Sequence, residues 1–318
     1  MSGTLWYAWR RQRATLLAGL LFVVACVVWG AVMKSHLTAY IDGHHAPLCK
    51  GWNGTCANNP WSLGAVFDSN TPLKFMAGVS MAVPALVGVF WGAPLIGHEL
   101  ESGTFRFALA QGMTPVRWFA SRFAVAAAFT ALGSAVLAAL VAWWWSPVSN
   151  MLGGLYWHDG YIYNATGPAA VACALFGLAV GTAAGLLLRR VLPAMAVTLV
   201  VLGAVRFALF AVRLAWFTPV TRISPGTVPK QLIGSARSAG QFGYVARDGS
   251  YHDIGTACAT SGAALKRCMA SHDFVSRYYR VFPSHDFWPS QWIATAVLLV
   301  LTAALVALVV VRLGRRRL

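Results

Sequence analysis

Glu99 and Glu101, two carboxylates two residues apart, are the first groups in this sequence whose type and spacing could do chemistry. A general acid/base pair must bring both carboxyls to one substrate, whereas side chains two apart on a helix diverge. The pair opens the polar run HELESGTFRFALAQG, with Gly103, Thr104, Phe105 and Arg106 close behind. It reads as acidic charge complementing the start of a helix, or as a charged contact for something in the cytosol. Arg206 and Arg213, seven residues apart in an apolar run, project from nearly one helical face. Charge at that depth is costly, so the face is expected to line a cavity or a subunit interface, with Arg213 alternatively snorkelling to the headgroups.

Four histidines precede aspartate: His158-Asp159, His252-Asp253, His272-Asp273 and His285-Asp286. A zinc or copper site needs three or four such ligands converging, and these are scattered, so solvated loop residues are the reading and no metal ligand is assigned. A membrane metalloenzyme built on them stands as a rival that metal analysis would remove. No Ser/His/Asp or Cys/His triad can be assembled, and no GxxxxGK[ST] loop exists to cradle ATP. The chain is expected to be no enzyme and to hold no cofactor of its own. Cys49 and Cys56, and Cys258 and Cys268, form two local pairs expected to be disulfides, while Cys26 and Cys173 lie in apolar runs as packing residues.

The elements that must position these groups are hydrophobic. The 318 residues are 58% hydrophobic and 11% charged. Six runs are long enough to cross a bilayer, at 14–33, 75–96, 119–145, 165–188, 191–217 and 291–311. None alternates with period two, so the expected class is an all-α membrane protein with six transmembrane helices rather than a barrel. The first run is too long for a cleaved signal peptide. Arg10, Arg11 and Arg13, then Arg106, Arg117 and Arg122, then Arg189 and Arg190, then Arg312 and Arg315–Arg317 gather on one side of that pattern. The positive-inside rule therefore places both termini and the 97–118 connection in the cytoplasm. The net charge of +16 follows from topology, and no nucleic-acid partner is expected.

The resulting organisation is an interfacial helix with the first span (1–33), an outer loop (34–74), the second span (75–96) and a cytosolic segment (97–118). The third (119–145), fourth (165–188) and fifth (191–217) spans follow, then an outer segment (218–290), the sixth span (291–311) and a basic tail (312–318). Only Arg189-Arg190 separates spans four and five, which makes a tight hairpin. Trp143, Trp144 and Trp145 close the third span as an aromatic belt would.

Three stretches carry a likeness. Trp9-Arg10-Arg11-Gln12-Arg13 precedes the first span, Gly92-Ala93-Pro94-Leu95-Ile96-Gly97-His98-Glu99-Leu100-Glu101-Ser102-Gly103-Thr104 ends the second, and Phe287-Trp288-Pro289-Ser290-Gln291-Trp292 leads into the last. With these the chain resembles the ABC-2 type permease family, most of all actinobacterial permease subunits encoded apart from their ATPase. The resemblance implies an ABC-2 (type V exporter-like) fold and a coupling helix at about 99–110. There Glu99, Leu100, Glu101, Gly103, Thr104, Phe105 and Arg106 would dock onto a nucleotide-binding subunit. It also implies two ATPase subunits that bind ATP and Mg, a second permease copy or paralogue, and a bacterial plasma membrane. The expected function is export of a hydrophobic or amphipathic compound such as a drug, antibiotic, lipid or peptide. Phe90, Arg206, Phe210 and Arg213 are candidates for the substrate pathway. A membrane sensor or immunity module binding a ligand through the outer segment is the alternative.

Overall fold

A computed structural model describes residues 3–43, 60–103, 114–149, 155–213, 215, 219–224, 236–253 and 262–315. Helix α1 (Gly3–Gly43) is continuous, so the aromatic-basic N-terminus extends the first span rather than forming a separate interfacial helix. Helix α2 (Pro60–Val87) passes through one π-helical turn (Gly88–Gly92) into α3 (Ala93–Glu101). Then come α4 (Pro115–Trp145), the short α5 (Gly160–Ala165), α6 (Gly167–Leu188) and α7 (Val191–Val212). The bundle is completed by α9 (Phe287–Arg315), after the small helix α8 (Gly262–Ser271). Six helical stretches are long and apolar enough to cross a membrane, as the hydropathy predicts.

Local sequence sets the helix ends. Thr114 accepts a hydrogen bond from the Arg117 amide at 3.3 Å, and Pro115 occupies the first turn of α4, where its missing N–H costs nothing. Arg189 ends α6 in the left-handed region (φ 56°), which reverses the chain within two residues into α7. The expected hairpin is there.

Helix α6 is the axis of the bundle: 78% of its apolar window is buried, against 11% for those of α1 and α7. It is buried because it approaches α2 and α3 backbone to backbone. A Cβ on Gly177 would lie 2.3 Å from the Pro84 carbonyl oxygen, one on Gly181 2.1 Å from that of Gly88, and one on Gly185 2.5 Å from that of Ala93. Small residues every four positions allow such close helix contact in a bilayer, where van der Waals packing replaces hydrophobic association. The π-turn lies at the centre of this contact.

Gln12 lies close to Arg122, and Lys34 donates to the Trp143 carbonyl at 2.8 Å, so α1 and α4 run parallel. At one end of the bundle gather Gln12, Glu99, Arg122 and the last turns of α9; this is the arginine end. The other is the sheet end. There the third span's tryptophans have three roles instead of one belt. Trp143 is exposed beneath the Lys34 ammonium, Trp144 is buried in the core, and Trp145 donates to the Leu155 carbonyl at 2.6 Å.

The outer segment expected as loops contains an ordered antiparallel sheet. Its strands are β1 (Val220–Ser224), β2 (Ala236–Ala246), β3 (Tyr251–Asp253) and β4 (Phe274–Phe282), in the order β1-β4-β2-β3. Tyr244 stacks on Phe274 with ring centroids 5.1 Å apart, and Phe282 buries against Trp157 and Tyr163 of the bundle. Alternation in YYRVF and QFGYV carried a strand signal that the charge of the segment masked.

Candidate functional site

Because the second span runs on through α3, Glu99 and Glu101 occupy its last helical turn and not the start of a new helix. The Ser102 amide closes onto the His98 carbonyl at 3.0 Å, and Gly103 turns the chain at φ 71°, a conformation that costs glycine little. Residues 99–101 therefore close the second span rather than open a separate helix. Thr104, Phe105 and Arg106 lie outside the described residues.

Glu99 is buried, and its carboxylate meets the Arg122 guanidinium at 2.6 Å. Arg122 also lies over the Trp118 ring, 4.7 Å from its centroid. Two charges withdrawn from water are tolerated only when paired in this way. Glu99, expected among the residues that dock onto a nucleotide-binding subunit, is here paired within the chain. Glu101 differs: its exposed carboxylate accepts the Val191 amide at 3.0 Å, at the first residue of α7. It thus complements a helix N-terminus, though that of the fifth span and not its own. Leu100 packs against the apolar cluster of Ile96, Trp118, Leu186, Val309 and Leu313.

Gln12 joins the same network. Its side-chain oxygen accepts from Trp91 Nε1 at 2.9 Å, and its amide nitrogen donates to the Arg122 carbonyl at 3.4 Å. A glutamine with both ends engaged is fixed between spans one, two and three. Nothing in the spacing of the Trp-Arg-Arg-Gln-Arg opening reveals these partners of Gln12.

Of the candidate pathway residues, Arg213 and Phe210 come together, while Arg206 and Phe90 have other surroundings. Arg206 donates through Nη1 to the Met81 carbonyl on α2. Arg213 is buried and does not snorkel: its guanidinium lies 4.0 Å from the Phe210 ring centroid and 4.8 Å from that of Tyr163. Phe90, on the π-turn, stands apart from them and is largely exposed beside a gap between α1, α2 and α4. Among the described residues, no group of three His, Cys, Asp or Glu side chains comes together as a metal set. Cys26 and Cys173 are free thiols within the bundle, while Cys49, Cys56 and Cys258 lie outside the described residues.

A family model described as ABC-2 membrane transporter related matches residues 20–213, more than half of the chain. The chain belongs to this family. Comparison with curated proteins and with solved structures gave no match. The match spans the first five membrane helices and takes in Trp91, Glu99, Glu101 and Arg122, while the sheet and α9 lie beyond it. The protein is a multi-pass ABC-2 permease, a component of a class of ABC transporter that usually works with an ATPase subunit. In this ABC-2 permease the polar network ties the end of span two to the starts of spans three and five, beside the segment that opens at Gly103.

Proposed function

We propose that this permease is the membrane-spanning subunit of an ATP-driven exporter of a hydrophobic or amphipathic compound. Two ATPase subunits would bind ATP and Mg and grip the connection that includes Thr104, Phe105 and Arg106. The observation that carries the reading is the double anchorage of the helix turn before that connection. Glu99 is held by Arg122 and Glu101 by the Val191 amide, so a push delivered beyond Gly103 displaces three spans together. That linkage suits a rigid-body change of access driven from outside the membrane. Clustering of arginines at the same end supports a cytoplasmic arginine end and an outward-facing sheet in a bacterial plasma membrane.

A second permease copy or paralogue completes the assembly. Its support is α7, an apolar helix of which only 11% of the membrane window is buried within the chain. Cys49–Cys56 and Cys258–Cys268 are proposed to be disulfides on the outer side. The test is reconstitution in inverted vesicles with a candidate ATPase and a lipophilic dye. ATP-dependent dye accumulation that is lost without the ATPase supports export, and ATP-independent partitioning alone refutes it.

One observation favours a second reading, a sensor or immunity module. The four-stranded sheet is a folded extramembrane unit lying outside the family match. Tight ligand binding by the sheet end in a complex that moves no compound would select it.

A further inference from the structure

Span two meets α6 at Pro84, Gly88, Ala93 and Gly97, whose backbone atoms face Gly177, Gly181 and Gly185. On α6 these contacts recur every four residues, whereas on span two they are spaced four, five and four. A regular helix turns about 100° per residue, so the extra residue would swing everything past Gly88 off the contact. The π-turn absorbs it. The Ala93 amide donates to the Gly88 carbonyl, five residues back, and α3 returns to the α6 face. Span two thus holds one spare residue in the middle of its closest contact.

The register is held at and beyond the turn. Trp91 in the turn donates to Gln12 of α1 at 2.9 Å, Glu99 meets Arg122 of α4, and Glu101 accepts the Val191 amide of α7. If the turn relaxed into regular α-helix, each residue beyond it would take the place of the next. Gly92 would stand where Ala93 is, Ile96 where Gly97 is, His98 where Glu99 is and Leu100 where Glu101 is. The contact with α6 leaves room for this. The Ala93 place already holds a methyl, and a Cβ at the Gly97 place would lie 3.5 Å from its nearest neighbours, an ordinary contact. Pro94 has no N–H to give, so one carbonyl of the turn lacks its helical donor in either register. What separates the registers is polar pairing, because Glu99 reaches Arg122 only while the spare residue stays in the turn.

We infer that the π-turn is a register switch. At rest the spare residue is held in the turn, and the anchors make α3 move with its neighbours. When the Glu99 carboxylate leaves Arg122, the spare residue passes into regular helix. Helix α3 then screws by about 100° around its axis and about 1.5 Å along it, toward the arginine end. The motion carries Gly103 and turns Glu101 away from α7. Single π-turns inside α-helices recur at functional positions. The switch belongs to this chain alone and requires no ATPase, so it stands or falls apart from the export reading.

The experiment compares thermal melts of the full chain in one detergent. Glu99→Leu leaves Arg122 unpaired and lowers melting. Adding His98→Glu should recover most of that loss, because the relaxed register carries the new carboxylate into the place of Glu99. In a fixed helix it would point about 100° away. Gly92→Ala supplies a second readout. With the spare residue in the turn its Cβ would lie 2.7 Å from the Leu178 carbonyl oxygen, whereas the relaxed register puts it where Ala93 now stands. It should therefore lower the melting of the parent chain and leave that of His98→Glu/Glu99→Leu undiminished. Deleting Phe90, which is largely exposed, removes the spare residue, so the recovery by His98→Glu should vanish with it. Should the deletion not fold, the contrast in Gly92→Ala decides alone. No recovery from His98→Glu, a recovery that survives the deletion, or an equal cost of Gly92→Ala in both backgrounds overturns the inference.

Discussion

Glu99 and Arg122 meet at 2.6 Å with both side chains almost wholly withdrawn from solvent, and this contact fixes the last turn of span two to the first turns of span three. A buried ion pair is weak proof of added stability, but breaking one is severe because the survivor is left charged and unpaired. Glu99→Leu or Arg122→Leu alone should destabilise the chain by about 3–5 kcal/mol, and the double substitution should recover much of that loss. Thermal melts of the four proteins in one detergent would measure the coupling. Additive losses would mean that the pair is not a unit.

The glycines of α6 allow a sharper contrast. Gly181→Ala places a methyl 2.1 Å from the Gly88 carbonyl oxygen, an overlap that only separation of the helices can relieve. Overpacking costs about 1–3 kcal/mol in ordinary cores and more against rigid backbone, so melting should fall sharply. Gly78→Ala on α2, whose Cβ meets nothing within 4 Å, should melt like the parent.

On the sheet, the Tyr278 hydroxyl donates to Asp253 Oδ1 at 2.5 Å, joining β4 to β3. Burial, and then the neighbouring Asp253 carboxylate, raise the Tyr278 phenol above its ordinary value. A raised pKa favours the folded state while the phenol keeps its proton. That contribution is full below the ordinary tyrosine range and lost as pH climbs past the raised value. Resistance of the 219–282 segment to proteolysis should therefore drop in strong alkali, and Tyr278→Phe should remove this component of the pH dependence.

The proposed disulfides are read directly from peptide masses without reduction. Digests of protein recovered from the membrane should contain Cys49 linked to Cys56 and Cys258 linked to Cys268. Thiols at all four positions would place these segments in a reducing compartment and reverse the proposed topology.

What could be read from the residues divides along physical lines. Six spans were legible because the bilayer demands long apolar runs, and the Arg189-Arg190 hairpin because two residues leave no other connection. The acidic pair was visible as a feature but misplaced, since a helix can leave the apolar run and continue for another turn, carrying Glu99 into contact with Arg122. Partners such as Gln12 with Trp91, far apart in sequence, leave no local trace. The α6 glycines were in plain view at four-residue spacing, but their meaning lies in which helix approaches them. The sheet was obscured because arginines interrupt β1, β2 and β4, and a charged stretch resembles a loop.

The proposed grip of an ATPase subunit lies just beyond Gly103. Its most direct test is co-purification of the full chain with a candidate ATPase from the same genome, comparing wild type with Phe105→Ala/Arg106→Ala. Wild type should form a stable complex and the double variant should lose the ATPase, while the membrane chain itself melts unchanged. An ATPase retained equally by both, or one that never associates in detergent or nanodiscs, would contradict it.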